Sequence, residues 1–351
     1  MTIITVDHIS HRYEKVEVLH DLSFKVNHGG RLALLGESGS GKTTLLRIIA
    51  GIESPTKGRI LYDDVVLQET EHMKRNIGMV FQNYALIPHW KAERSIGFFL
   101  SLRKRQEEIP DRVKRVASIT GVGLDKLMAR TPKNLSGGEK QQVAIARAFA
   151  RDLSVLLLDE PFANLDAQLR NTARVELQRL LAEFPITTVL VTHDQTEAAA
   201  IGAGILLLRE GRMEQFGTYE HLRDNPDSLY TAKFIGAHAL NVFEGHVQDG
   251  HWVHPLWKSV PLPQPAPNNI PLTLTIRPEF MKVQTGGVVG KIMQIQANYS
   301  LRHQLLELEG HGLSWRADVP LDTEFRLGDT VETVMQPEGA LFFGDEGRRF
   351  G

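Results

Sequence analysis

The stretch GESGSGKTT, which begins at Gly36, restricts the fold more than any other part of the chain. It follows the apolar run RLALL, which is typical of a buried strand, and precedes LLRIIAG, which has helical character. A glycine-rich loop between a strand and a helix directs backbone N–H groups at bound phosphate, next to the positive end of the helix. The sequence therefore predicts a phosphate-binding α/β domain.

The residues of this loop have separate predicted roles. Its glycines permit backbone angles that a Cβ would forbid. Lys42 brings a positive charge to the β- and γ-phosphates and is a candidate catalytic residue, while the Thr43 hydroxyl is a candidate Mg²⁺ ligand. We expect the following residues to contact nucleotide: Gly36, Glu37, Ser38, Gly39, Ser40, Gly41, Lys42, Thr43 and Thr44. The expected ligands are the phosphates of a nucleotide and Mg²⁺.

The overall composition excludes several other classes of protein. The formal net charge of the 351 residues is -2, which argues against a nucleic-acid partner bound through bulk positive charge. There is no cysteine, so neither a disulfide framework nor a thiolate zinc site can form. The longest strongly apolar uncharged run, AAAIGAGILLL, is shorter than the roughly 20 residues of a membrane-spanning helix.

Two parts of the chain differ in their hydrophobic pattern. Up to residue 237, apolar runs such as SVLLLDE and TTVLVTHD alternate with helical stretches such as LRNTARVELQRLLAEF, which indicates a mostly parallel sheet between helices. Beyond that point, a cluster of prolines precedes short runs of period two, such as LTLTIRP and SWRADVP. These runs predict a small antiparallel barrel or sandwich over 238–351.

An acidic pair ends one of the predicted buried strands, in SVLLLDEP. Asp159 has the position of the strand-end aspartate that holds Mg²⁺ in phosphate-loop enzymes. Glu160 leaves the strand at a different angle and is a candidate general base for the attacking water, a contribution of about 10² to 10⁴ in rate. Strands commonly end in acidic loops, so the catalytic interpretation depends on the phosphate loop at Gly36.

Two further polar residues follow apolar runs. His193 ends TTVLVTH, at the edge of the sheet where ligands bind in doubly wound folds, and is a candidate to bridge the γ-phosphate and Glu160. Gln82, in MVFQNYAL, is a candidate ligand of Mg²⁺ or of the attacking water. A structural histidine and a surface turn residue are the alternatives for these two positions.

The order of these motifs, together with LSGGE at Leu135 and NLD at Asn164, resembles the ATP-binding subunits of ATP-binding cassette (ABC) transporters. The resemblance implies a P-loop NTPase cassette: a mostly parallel sheet, an N-terminal antiparallel part and a helical subdomain over about 84–152. It also implies a small C-terminal all-β, OB-like regulatory domain. Two such subunits would face head to tail, and the signature of each would close on the ATP of the other. The residues implied in this closure are Ser136, Gly137, Gly138, Glu139, Asn164 and Asp166.

The resemblance implies contacts with base and partner as well. Tyr13 corresponds to the aromatic residue that stacks on adenine, with Val18 beside it, although a partly buried structural tyrosine is the alternative. The segment from Tyr84 to Phe98 corresponds to the stretch that receives a short helix from the membrane subunit. Two integral membrane permease subunits are the partners that the resemblance implies. Ordinary core packing is the alternative for its apolar residues.

The C-terminal half resembles importers of the carbohydrate and maltose type. The resemblance rests on NLDAQLR, FIGAHALNVFEG and IRPE. It implies an ATPase that energises import of sugars, polyols or sugar phosphates from the cytoplasmic face of the inner membrane, as a peripheral homodimer. An external solute-binding protein would act indirectly. Importers of polyamines, iron, sulfate or other anions, and a soluble ABC ATPase without a transport role, are the alternatives.

Overall fold

The computed structural model describes residues 2–71, 75–120, 123–202, 204–236 and 240–351, without the side chains of 119 and 120. The chain forms two compact units, Met1–Tyr219 and Glu220–Gly351. The predicted boundary between residues 237 and 238 lies outside the described residues and stays a prediction. In the described ranges, no helix combines the length and apolar character that a membrane span requires.

The first unit contains ten strands and six α-helices within the described ranges. The strands are β1 (Ile4–Tyr13), β2 (Val16–Val26), β3 (Arg31–Leu35), β4 (Lys57–Tyr62), β5 (Val65–Val66), β6 (Ile77–Val80), β7 (Val155–Asp159), β8 (Thr187–Val191), β9 (Gly204–Arg209) and β10 (Arg212–Gly217). The helices are α1 (Lys42–Ile49), α2 (Ala92–Leu102), α3 (Ile109–Thr120), α4 (Gly137–Phe149), α5 (Ala167–Glu183) and α6 (Gln195–Ala200).

Two sheets organise this unit. Strands β2, β1, β4 and β5 form an antiparallel sheet, and a six-stranded sheet has the order β10-β9-β3-β8-β7-β6. In the larger sheet, the neighbours from β9 to β6 are parallel and β10 is antiparallel to β9. Strands β7 and β8 are buried along their whole length, which is why their sequences are continuously apolar. The predicted mixed α/β architecture is confirmed.

The helices that surround the larger sheet fall into two cores. Four apolar side chains of α1 pack with β1, β2, β3 and β9 in one core. Helices α2, α3, α4 and α5 share the other core with β6 and β7. The crossover connection between the parallel strands β6 and β7 contains α2, α3 and α4, which pack together beside the sheet within the range predicted for a helical subdomain.

The second unit begins within α7 (Tyr219–Asp224) and continues through α8 (Leu229–Phe234). Its strands are β11 (Asn241–Gln248), β12 (His251–Val253), β13 (Val260–Pro261), β14 (Pro271–Ile276), β15 (Met281–Asn298), β16 (His303–Gly310), β17 (Leu313–Pro320), β18 (Thr330–Met335), β19 (Leu341–Phe343) and β20 (Arg349–Phe350). They form two sheets, of orders β13-β12-β11-β14-β19-β20 and β17-β16-β15-β18, whose neighbours are antiparallel. Trp252 and Trp315 are fully buried in one shared core. Because the two sheets are antiparallel, the predicted C-terminal antiparallel β region is confirmed.

Candidate nucleotide site

The glycine-rich loop lies between β3 and α1, and its close packing explains two of its glycines. Gly36 and Gly41 have φ angles of 152° and 99°. A Cβ on Gly36 would lie 2.3 Å from the Leu208 carbonyl oxygen, and one on Gly41 would lie 2.6 Å from a methyl of Leu19. The backbone oxygen of Val18 is also only 3.0 Å from that second position. The loop is therefore held between β9 and β2, next to Val18. The nucleotide contact expected of Val18 stays a prediction.

Lys42 begins α1 and its ammonium group lies under the loop. Nζ donates to the carbonyl oxygens of Gly36 and Glu37, at 3.0 and 2.7 Å. Burial lowers the pKa of Lys42, while the charges of Glu160 and Asp159 act in the opposite direction. An anion that binds here would stabilise the partly desolvated ammonium group of Lys42. The geometry fits a role in phosphate binding.

Asp159 is the last residue of β7, and its carboxylate faces the start of α1. The Thr43 hydroxyl donates to Asp159 Oδ1 at 3.2 Å. Burial raises the pKa of Asp159, an effect that the Thr43 hydrogen bond partly offsets. Among the residues that the structure describes, no group of three or more His, Cys, Asp or Glu side chains could hold a metal. A hydroxyl and one carboxylate fit Mg²⁺, which usually takes few protein ligands and completes its shell with water and phosphate oxygens.

Glu160 has a left-handed backbone, with a φ of 44°, and its N–H donates to the Val191 carbonyl oxygen at 2.9 Å. This conformation is uncommon for a residue with a side chain and turns the carboxylate away from the path of β7. The amide Nε2 of Gln82 and the ring Nδ1 of His193 each lie 3.5 Å from Glu160 Oε2. Three residues predicted from separate strand ends are thus brought to one place.

The loop from Glu160 to Asp166 connects these residues to the next helix. Asn164 Nδ2 donates to the Gln82 carbonyl oxygen at 2.8 Å, which fixes the backbone beside Glu160. Asp166 is the N-cap of α5, where its Oδ1 accepts the Leu169 N–H at 2.9 Å. Within one chain, both residues therefore stabilise the local fold, in addition to the role that the family resemblance implies for them.

The LSGGE motif begins α4 with a reciprocal cap. Ser136 Oγ accepts the Glu139 N–H at 3.2 Å, and Glu139 Oε2 accepts the Ser136 N–H at 2.8 Å. Glu139 also pairs with Arg130 at 3.0 Å. Within the described ranges, the side-chain bonds of Ser136 and Glu139 stay in this group and none reaches the loop at 36–44. The N–H groups of Gly137 and Gly138 in the first turn have no acceptor within the helix, so this end of α4 can receive an anion from outside.

Tyr13 ends β1 and is 40% exposed. Its hydroxyl donates to Glu53 Oε2 at 2.5 Å, and its ring meets the edge of His11 at a centroid distance of 4.6 Å. Glu53 and His11 are functional candidates that sequence reasoning missed. Glu53 lies forty residues from Tyr13 in a loop without a motif, so no local pattern could have indicated the pair.

The segment from Tyr84 to Phe98 contributes to a cavity of about 430 Å³ in the first unit. Its walls combine apolar and cationic side chains, and the residues used below are Phe81, Ala85, Phe98, Phe99, Arg147 and Arg151. Arg147, from α4, donates to the backbone oxygens of Ala85 and Tyr84 at 2.6 and 2.9 Å. The arginine walls were also missed, because Arg147 lies in the helix that begins within LSGGE and Arg151 lies just beyond the end of that helix.

Comparisons with known proteins agree with this geometry. Residues 19–163 match the ABC transporter family. The chain is 37% identical over 363 residues to the osmoprotective compounds uptake ATP-binding protein GgtA of Synechocystis, covering 99% of this chain and 98% of that protein. It is 38% identical over 310 residues to the sn-glycerol-3-phosphate import ATP-binding protein UgpC of Ruegeria pomeroyi, covering 87% of each.

A solved structure gives the same fold for the first part of the chain. The dimeric ATP-binding cassette MJ0796, in a post-hydrolysis state bound to ADP and Pi, superposes with a TM-score of 0.54 at 27% identity. The match covers 61% of this chain and 98% of that cassette. Near full-length similarity to importer subunits, together with this cassette fold, establishes the family. The chain belongs to the ATP-binding subunits of ABC transporters.

Proposed function

We propose that this chain binds Mg²⁺-ATP in the loop at 36–44 and hydrolyses it to energise the import of a polar solute. The observation that carries the proposal is the convergence of Gln82 and His193 on Glu160, beside the Thr43–Asp159 pair. Gln82, Asp159, Glu160 and His193 lie at the carboxyl ends of parallel strands, where doubly wound folds bind their ligands. Thr43 lies in the first turn of α1.

The residues divide the work of binding and hydrolysis. Lys42 and the loop N–H groups bind the β- and γ-phosphates, and Thr43, Asp159 and Gln82 would hold the metal. Bound Mg²⁺ neutralises charge on the phosphate oxygens. Glu160 accepts a proton from the water that attacks the γ-phosphorus, as the bond to the β–γ bridging oxygen breaks and ADP leaves. His193 holds the Glu160 carboxylate and the γ-phosphate in register.

The same proposal requires two copies of the chain. The first-turn N–H groups at the capped start of α4 have no acceptor within the helix, so this end suits a phosphate that another copy holds. We infer a head-to-tail homodimer in which Ser136, Gly137 and Gly138 of one copy bind the γ-phosphate in the loop of the other. Hydrolysis removes this phosphate and so weakens the dimer.

The test is the size of the protein in the presence of ATP. Glu160→Gln keeps the shape of the side chain but cannot accept the proton, so this variant should bind ATP, hydrolyse it at least about 100-fold more slowly, and accumulate as a dimer. Size exclusion with light scattering measures the mass with ATP and with ADP.

The matched control adds Ser136→Asp to Glu160→Gln. Aspartate is as good an N-cap as serine, so the helix should stay intact, but its charge repels a γ-phosphate. We expect this double variant to bind ATP and remain monomeric. A monomeric single variant with ATP bound, or a dimeric double variant, would contradict the shared site.

We further propose that the cavity beside α2 receives the membrane subunits. Phe81, Phe98 and Phe99 give it apolar walls, and Arg147 and Arg151 add positive charge at one side. A short amphipathic helix with an acidic or carbonyl-rich end fits such walls. Docking of two permease subunits there would place the chain on the cytoplasmic face of the inner membrane as a peripheral protein. An external solute-binding protein would then act only through those subunits.

For the solute, we propose a glycerol phosphate, a polyol or a related sugar compound. The support comes from the relatives, since UgpC is an sn-glycerol-3-phosphate import protein and GgtA is an osmoprotective compounds uptake protein. The test assembles the chain with its permease and solute-binding protein and measures whether each solute stimulates ATP hydrolysis. Stimulation by none of these solutes would exclude the class.

A further inference from the structure

The carboxylate of Glu53 lies between two aromatic side chains of β1. One oxygen accepts the Tyr13 hydroxyl at 2.5 Å, and the other is 3.1 Å from His11 Nε2. The two rings meet edge to face, with an interplanar angle of 82°. The side chains of His11 and Glu53 are only 7% and 24% exposed, so the contact is well shielded from water.

Glu53 belongs to the loop that closes the far end of α1. The N–H groups of Ile52 and Glu53 both point to the Arg47 carbonyl oxygen, at 3.0 and 3.3 Å, and Gly51 provides the left-handed turn with a φ of 67°. Lys42, which contacts the glycine-rich loop, begins the same helix. The eight residues of α1 separate these two points by roughly 12 Å of rigid helix.

The Tyr13 phenol is suited to this attachment. Its pKa is raised above the ordinary value, first by burial and then by the hydrogen bond to Glu53. The hydroxyl therefore stays protonated and donates, while the Tyr13 side chain keeps 40% of its surface open. A ring that is fixed at its hydroxyl and partly open to solvent can present a face to a base.

We propose that Glu53, supported by His11, is a positioning residue for the nucleotide base, because it ties the Tyr13 ring to the helix that carries the phosphate loop. The inference rests on the base contact that the family resemblance implies for Tyr13. With the ring fixed relative to α1, base and triphosphate bind at one spacing, and less side-chain freedom is lost on binding. Glu53 itself touches no phosphate in this arrangement.

The test compares ATP with inorganic tripolyphosphate, which has no base. Tyr13→Ala should raise KM for ATP about tenfold through lost stacking. Glu53→Ala and Tyr13→Phe each free the ring and should raise KM about two- to tenfold, with kcat unchanged. The inhibition constant of tripolyphosphate should stay at the wild-type value in all three variants of the full-length protein.

Two controls separate positioning from folding. Glu53→Gln keeps an oxygen that accepts the phenol proton, so it should retain the wild-type KM. Asp7→Ala breaks the Asp7–Arg59 pair on the same strand β1 and should also leave KM unchanged. Tyr13→Phe and Glu53→Ala both break the Tyr13–Glu53 bond, while Tyr13→Phe also removes a hydrogen bond to Thr44. The effects of the two variants on KM should therefore be less than additive in the double variant.

The outcomes distinguish the two proposals. If Tyr13→Ala raises KM but Glu53→Ala and Tyr13→Phe do not, the positioning role is wrong and the base contact stands. If Glu53→Ala weakened the binding of tripolyphosphate and of ATP equally, the positioning role would also be wrong, since the effect would then pass through the phosphate loop. An unchanged KM in Tyr13→Ala would remove the base contact itself, and the positioning role with it.

Discussion

At the residue scale, Asp159 is buried, and its burial affects the free energy of unfolding. Burial raises its pKa, so the folded protein takes up a proton at Asp159 more readily than the unfolded chain does. The stabilising contribution of a raised pKa is present below the ordinary aspartate range and is lost as the pH rises through the folded-state value. At neutral pH, the charged Asp159 therefore costs free energy in the protein without metal.

Asp159→Asn should remove this cost. We expect the variant without metal or nucleotide to be more stable than the wild type by about 1 kcal/mol at pH 7. The difference should shrink as the pH falls toward 4, where the wild-type acid becomes protonated. Urea unfolding of the first unit at both pH values measures the change, and ATP hydrolysis should be lost.

The matched control for that prediction is Glu69→Gln, which alters an exposed carboxylate of the same unit. It should change the free energy of unfolding by less than about 0.5 kcal/mol at either pH. A less stable Asp159→Asn protein at pH 7, or a stability difference independent of pH, would show that burial of the charge is not the cause.

At the element scale, helix α2 carries one wall of the cavity proposed to receive the membrane subunits. Phe98 is 42% exposed and its ring lies 4.9 Å from that of Trp90, while Leu102, on the same helix, is 54% exposed and lies outside the cavity. Phe98→Ala should reduce co-purification with the permease about tenfold or more, since buried aromatic anchors dominate such interfaces. ATP hydrolysis by the isolated subunit should be unchanged.

Leu102→Ala removes a comparable exposed apolar side chain and should leave co-purification intact. If both variants behave alike, the contact surface is not the cavity. Quantitative immunoblotting of the permease retained on the tagged subunit measures the difference. Basal hydrolysis in the same preparations shows that the cassette is folded.

Elements also show how far the sequence determined the site. Predictions held for features that are contiguous in the chain: the continuous apolar runs correspond to β3, β7 and β8, and the loop at Gly36 precedes α1. They could not reach contacts set by packing between distant segments, such as Tyr13 with Glu53 or Arg147 with Ala85. Short strands such as β13 and β20 lack enough residues for a periodic pattern, which explains why the sequence did not indicate them.

At the scale of the whole molecule, the two units have separate hydrophobic cores, so heating should reveal two unfolding transitions. Trp315 is 1% exposed in the core of the second unit, and its Nε1 donates to Thr333 Oγ1 at 2.8 Å. Trp315→Ala should destabilise that unit by about 3–5 kcal/mol. Differential scanning calorimetry should show one transition shifted down and the other unmoved.

ATP identifies which transition belongs to which unit. Since a ligand stabilises the unit that binds it, ATP should raise the transition that Trp315→Ala leaves in place. Trp315→Phe serves as the matched control, because it retains most of the apolar volume and loses one hydrogen bond, a cost of about 1–2 kcal/mol. A single transition that shifts as a whole would mean that the two cores unfold together.

Arg147 has a wider consequence. Its guanidinium donates to the backbone oxygens of Tyr84 and Ala85, two and three residues after Gln82. Its own helix is capped by Ser136. We expect a displacement of the 84–98 segment to be transmitted in two directions: back to the Gln82 amide beside Glu160, and along α4 to the end that we propose to face a second copy. Arg147 would thus couple the two sites mechanically. Docking of a membrane subunit would then change both the rate of ATP hydrolysis and the closure of the dimer.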